Sequence, residues 1–244
     1  MPIPATRGDG GAGRAYGRLI IAIDGPVGAG KSTAARLLAR RLGYRYIDSG
    51  AMYRALAWKA LEARLDLDDE EGARRLADAI SIALEPLGDR ELVFVDGQDV
   101  SRQIREQRVE QASSKISTLA GVRRVMVTRQ RELAAQGGVV MDGRDIGTVV
   151  FPDADVKFYL EARLEVRAKR RYLESQVAGA PRGLEELSEE IKVRDARDMG
   201  RNASPLRKAD DAVTIDTTDL TALQVADAME EEIRRRLIAS RGCE

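Results

Sequence analysis

Residues 25–33, Gly25-Pro26-Val27-Gly28-Ala29-Gly30-Lys31-Ser32-Thr33, carry the spacing G-x-x-x-x-G-K-[ST]. Glycines at that spacing let the chain wrap so that successive backbone N–H groups point at phosphate oxygens. The N-terminal end of a helix opening just behind the loop adds its positive dipole. Lys31 can reach the β- and γ-phosphates, and the hydroxyl of Ser32 or of Thr33 can bind Mg²⁺. The apolar run 19–23 before the loop and the helix-compatible stretch behind it supply the strand–loop–helix setting this grip requires. The sequence therefore implies a site for a nucleoside triphosphate and its magnesium ion.

Three further constellations could do chemistry beside that loop. Asp48-Ser49-Gly50-Ala51-Met52-Tyr53-Arg54 sets a capping carboxylate and hydroxyl ahead of Arg54, whose fork suits a second anion. A capped helix with a solvated arginine is the plainer alternative, and this segment alone favours it. Val139-Val140-Met141-Asp142-Gly143-Arg144-Asp145 ends an apolar run on a carboxylate, as phosphate-loop enzymes do with the Asp that assists Mg²⁺. Arg144 and Asp145 then offer a donor fork and an acceptor side by side, although Asp-Gly is also an ordinary turn. Arg163, Arg167, Arg170 and Arg171 recur at helical spacings and would share one face, and Arg194, Arg197, Asp198 and Arg201 repeat the arrangement. Three readings of these arginines stay open: solvated helices laced to nearby glutamates, a nucleic-acid patch, or a mobile lid over a moving phosphate. An arginine of the last kind is worth roughly 10³–10⁵ in rate. Composition by itself favours the first, and scarce aromatics count against the second.

What is missing narrows the chemistry. The 244 residues contain no histidine, which excludes an imidazole base, a Ser-His-Asp triad and His-ligated zinc. Phosphoryl transfer needs none of these, because it works by positioning and by neutralising charge on the moving group. A phosphate acceptor is favoured over an alcohol, since its oxygen is already anionic. Basic and acidic residues balance at 40 each, so no global field draws the chain to nucleic acid or to an anionic membrane. The lone Cys243 rules out an internal disulfide and fits a reducing cytoplasm. No apolar stretch approaches the ~18 residues of a membrane span. Residues 1–17 are Gly-rich without an apolar signal core and read as a flexible tail.

Alternating strands and helices must hold these groups. Strands are expected at 18–24, 44–47, 138–142, 155–160 and 212–216, with helices at 31–42, 51–64, 68–80, 109–119, 122–135, 161–177, 184–199 and 222–237. Short apolar runs at 81–84 and 91–95, with an Asp96-Gly97 turn, form an antiparallel interruption. The pattern predicts an α/β fold: a parallel five-stranded sheet of phosphate-loop type, covered by helices on both faces, carrying a small insertion.

In order along the chain, Ile23-Asp-Gly-Pro-Val-Gly-Ala-Gly-Lys31, Asp48-Ser-Gly-Ala-Met-Tyr-Arg54, Asp142-Gly-Arg-Asp-Ile-Gly-Thr-Val-Val-Phe-Pro-Asp153 and Arg194-Asp-Ala-Arg-Asp198 resemble the blocks of the bacterial cytidylate kinases. The first block is shared with many phosphate-loop proteins; the other three together are specific. The resemblance implies a single kinase domain over 18–238, with core segments at about 18–75, 120–162 and 205–238. It further implies a monophosphate-binding insertion at about 76–119, a lid at 163–183 followed by helix 184–199, and a tail at 239–244. The implied reaction moves the γ-phosphoryl of ATP to CMP or dCMP with Mg²⁺, in a cytoplasmic monomer without nucleic-acid or membrane partners. By position, Ser49, Arg123 and Asp145 would face cytosine, and Arg201 would touch base or phosphate. Ser114, Arg194 and Asp198 would hold the pentose, while Arg54 and Arg144 would clamp the acceptor phosphate. Lys31, Arg144, Arg167 and Arg171 would be catalytic, with Arg170 also lining the lid. Ser32 and Thr33 compete for the metal, with Asp142 a further candidate through water.

Overall fold

The computed structural model describes residues 16–241 apart from Asp89 and Ala178; most of the expected 1–17 tail, and Cys243, lie outside the described residues. Five strands form one parallel sheet in the order β2-β6-β1-β7-β8: β1 (Ile20–Asp24), β2 (Arg45–Asp48), β6 (Val139–Gly143), β7 (Val156–Glu161) and β8 (Val213–Asp216). This is the sheet the alternation predicts. Its central strand β1 pairs with β6 on one side and β7 on the other, and each runs parallel to it.

Strand alternation divides the core. Ala22, Val139 and Met141 turn to one face, whereas Ile21, Ile23 and Val140 turn to the other. The second face is covered by α1 (Lys31–Leu42) and α8 (Ala222–Arg241), through Ala34, Leu38 and Leu42 against Val225, Met229 and Ile233. The first face carries α2 (Ser49–Glu62), α3 (Glu70–Ala79), α4 (Gln107–Ile116) and α5 (Ala120–Leu133). Expected and observed helices agree to within a few residues, except that α8 continues to Arg241 through part of the expected C-terminal tail.

The interruption is a three-stranded antiparallel sheet of β3 (Ile82–Leu87), β4 (Arg90–Val95) and β5 (Gln98–Asp99). Asp96 and Gly97, at φ 51° and 81°, make the expected tight turn. Leu84, Val93, Val95, Val100 and Ile104 bury into the same cluster as Trp58 and Met141, so the insertion shares the core of the main sheet. Two more helices, α6 (Leu164–Val177) and α7 (Leu184–Gly200), pack on each other beyond the ends of the strands. Tyr16 and Gly17, expected within the tail, are anchored. Tyr16 donates to Glu230 at 3.0 Å, and Tyr44 donates to the carbonyls of both residues.

Candidate active site

The phosphate loop joins β1 to α1 at the carboxyl end of the sheet. Gly25 admits no side chain: a Cβ there would stand 2.0 Å from the carbonyl oxygen of Leu160 on β7. The loop enters α1 through Gly30 in the left-handed region, with no side-chain cap and no acidic residue in the first turn. The leading N–H groups of α1 are therefore not taken by a capping side chain of the helix itself. Helix α3, by contrast, is capped by Asp69 and opens with Glu70 and Glu71.

Three strand-end carboxylates surround the loop. Asp24, closing β1, accepts from the N–H groups of Ile146 and Gly147 at 2.8 and 2.7 Å. It thereby holds a single π-helical turn, Ile146–Val150, against the site, and burial pushes its carboxyl up to about 7. Asp142, closing β6, accepts from Ser32 Oγ at 2.8 Å and from the Tyr46 hydroxyl at 2.7 Å; burial and the neighbouring Asp48 raise it. Thr33 is exposed, which leaves Ser32 as the loop hydroxyl held toward that carboxylate. Lys31 folds back to donate to the Pro26 carbonyl at 2.7 Å, and burial, reinforced by the charge of Arg144, pushes it down to about 7.

Asp48 both caps α2, accepting from the Ala51 N–H, and pairs with Arg54 at 2.8 Å. Arg54 is thus folded over its own helix cap and is mostly buried, not solvated as the plainer reading had it. Ser49, buried, donates to the Asp142 carbonyl at 2.7 Å.

Beyond them Arg123, Arg144, Asp145, Arg194, Asp198 and Arg201 converge from α5, the β6 end and α7. Arg123 hydrogen-bonds Asp145 Oδ2 and lies over the Tyr53 ring. Arg201 Nη2 faces Asp145 Oδ1 at 3.7 Å, and Arg144 Nε donates to Asp198 Oδ2 at 2.9 Å. Burial opposes ionisation of Asp198, yet the charges of Arg144, Arg194 and Arg201 hold it below the ordinary carboxylate range. Burial and Arg144 push Arg194 down to about 10. Among the described residues Tyr53 Oη, Arg123 Nε, Arg194 Nε and Arg201 Nη2 are buried without a hydrogen-bond partner. Buried orphans are uncommon; three of these stand beside Asp145 and Arg194 beside Asp198, and such unmatched groups can take a polar ligand. Ser114, also expected here, accepts from Arg197 at 2.6 Å.

Of the arginines expected to share one face, Arg167, Arg170 and Arg171 of α6 all turn toward the phosphate loop. Arg163 precedes α6 and points to Asp219. Arg167 pairs with Asp195 of α7 at 2.5 Å and donates to the Val27 carbonyl of the loop. Arg170 donates to Gly28 and Thr217, and Arg171 reaches Glu110 on α4 at 2.7 Å. Spacing gives that common side but not the partners, because each guanidinium takes a different distant acceptor. Asp24, Tyr46, Tyr53, Glu110 and Asp195 carry no signal in spacing, although Asp24 could have been suspected from its place just ahead of Gly25.

The family model described as "Cytidylate kinase" matches residues 21–235. Among curated relatives, the cytidylate kinase of Geobacillus thermodenitrificans is 52% identical over 220 residues, covering 90% of this chain and 98% of its own. That of Caldanaerobacter subterraneus subsp. tengcongensis is 51% identical, covering 88% and 94%. The Geobacter sp. (strain M21) protein, of the same name, is 46% identical, covering 90% and 94%. The chain belongs to the cytidylate kinase family.

Proposed function

We propose that this protein transfers the γ-phosphoryl group of ATP to CMP, and to dCMP, giving the diphosphate and ADP. The acceptor phosphate oxygen forms the new bond to phosphorus as the β–γ bridging bond breaks, and the electron pair stays on the β-phosphate of ADP. No proton need be removed from the acceptor, which accords with a chain lacking histidine.

In this reading residues 25–33 grip the triphosphate, with Lys31 turning from the Pro26 carbonyl to the phosphates. Ser32 and, through water, Asp142 offer hard oxygen donors 2.8 Å apart, a set that suits Mg²⁺, whose preference is for phosphate and water oxygens with few protein ligands. Bound with ATP, Mg²⁺ would supply charge neutralisation at the phosphate chain. Arg54 and Arg144 clamp the acceptor phosphate, Ser114, Arg194 and Asp198 hold the pentose, and Ser49 lies at the base side. Arg167 and Arg171 stabilise the moving group, and Arg170 steadies the lid against the loop. The working unit is a cytoplasmic monomer handling nucleotides alone; balanced charge, 40 basic against 40 acidic residues, supports the last point by giving nucleic acid no global field to follow.

One observation carries the base assignment. Asp145 Oδ1, an acceptor, and Arg201 Nη2, a buried donor without a hydrogen bond among the described residues, stand 3.7 Å apart beside Arg123. Cytosine presents the complement, an amino donor next to a ring-nitrogen acceptor, with its O2 in reach of Arg123. Uracil presents the reverse order and would leave both protein groups unpaired, at roughly 1–3 kcal/mol or more. Replacing Asp145→Asn preserves the shape and one acceptor while removing the charge. Its ratio of kcat/KM for CMP over UMP should fall about tenfold or more, measured by a coupled ADP assay. An unchanged ratio would refute the assignment.

A further inference from the structure

Glu110 lies on α4 within the inserted segment, and no motif marks it. Its carboxylate accepts from Arg171 Nη2 at 2.7 Å across the junction of α4 and α6, with the two side chains only 18% and 25% exposed. Arg171 also lines a small cavity with Val27 of the phosphate loop and with Leu187, Glu190, Ile191 and Arg194 of α7. Its guanidinium therefore stands where insertion, lid and loop meet. Burial disfavours the charged form of Glu110, but the charges of Arg171, Arg194 and Arg54 outweigh it and keep the carboxyl below its ordinary range. The bond is thus a charge-assisted one in a poorly solvated junction, the kind that fixes a long side chain in one geometry. Glu174, the other partner of Arg171, is 61% exposed and holds it only from the solvent side.

We propose that Glu110 is a positioning residue for phosphoryl transfer, locking Arg171 of the lid helix to the acceptor-binding segment so that docking of the acceptor and delivery of that guanidinium are one event. The proposal rests on the reading that Arg171 acts on the moving group. A guanidinium released from Glu110 would sample several rotamers, and misplacement of a catalytic group by an ångström is enough to cost on the order of 10²-fold.

The test is steady-state kinetics of E110Q, E110D, R171A and the E110Q/R171A double variant, with melting temperatures taken alongside. We expect kcat of E110Q to fall roughly 10- to 100-fold while KM for CMP stays within about twofold. E110D, which keeps the charge at shorter reach, should recover part of the loss. The double variant should be no slower than R171A, as two residues acting through one another require. Unchanged kcat in E110Q with a slow R171A would overturn the proposal, as would fully multiplicative effects. So would a lowered KM for CMP at unchanged kcat, which would make Glu110 a competitor of the acceptor phosphate. A full kcat in R171A would overturn the underlying reading of Arg171 as well, and is told apart by that single variant.

Discussion

Lys31 carries the sharpest conflict between stability and chemistry at the level of single residues. The residue is 6% exposed, and burial together with the charge of Arg144 pushes its ammonium down to about 7 from 10.5. A lysine whose folded value lies below its unfolded one destabilises the native state most when both states hold the proton, below the folded value. The penalty fades as pH rises through the folded value and is gone above the unfolded one. Lys31→Met should therefore melt higher than the parent at neutral pH and below, by on the order of 1–3 kcal/mol. The advantage should shrink toward pH 10.5, as thermal melts across pH would read. The same change should lower turnover by roughly 10²–10³-fold or more, because a cation aimed at the developing charge is lost. A variant both active and no more stable would contradict this account of the loop. At this scale the sequence was uneven. Gly25 to Ser32 was legible because the loop's function is written in its own local spacing. The pairings Arg171–Glu110 and Arg167–Asp195 were not, since their partners lie far away in sequence and are chosen by packing.

Among the elements, the contact of α6 with the phosphate loop decides how closely this helix, the proposed lid, can sit. Gly28 has φ +76°, and a Cβ there would meet Arg167 Cβ at 2.9 Å and the Arg167 carbonyl oxygen at 3.0 Å. Gly28→Ala combines left-handed strain of about 1–3 kcal/mol with a clash against helix backbone. It should lower the melting temperature and slow turnover together, because α6 must retreat and carry Arg167 and Arg171 with it. Calorimetry and kcat on one preparation would check both, and an unchanged kcat would show that lid placement is not governed by this contact. Helix α1 could be read from the sequence because glycines bound it at both ends and its apolar face repeats at helical spacing. Strand β3 was read too short, since Pro86 signals a break, yet β3 is an edge strand, where proline is tolerated. The π-helical turn 146–150 was invisible because the carboxylate that shapes it, Asp24, comes from another strand.

For the molecule as a whole, one apolar cluster joins the insertion to the sheet through Val93, Val95, Val100, Trp58 and Met141. The protein should therefore unfold in one transition, and two separated transitions in calorimetry would show that the insertion stands alone. Alternation of strands and helices was enough to predict this sheet; the shared core was not, because an antiparallel run in sequence says nothing about what its buried face meets. Ligand linkage belongs to the same scale: CMP at a hundredfold excess over its Kd should stabilise the fold by ~2.7 kcal/mol, or roughly 5–10 °C. The most direct measurement is nucleoside diphosphate formation by the purified protein with ATP and Mg²⁺, offered CMP, UMP, AMP and GMP in turn. We predict CDP formation with kcat/KM for CMP about tenfold or more above that for any of the others. Absence of CDP, or equal use of UMP, would contradict a site in which Asp145, Arg123 and Arg201 read cytosine opposite the phosphate loop.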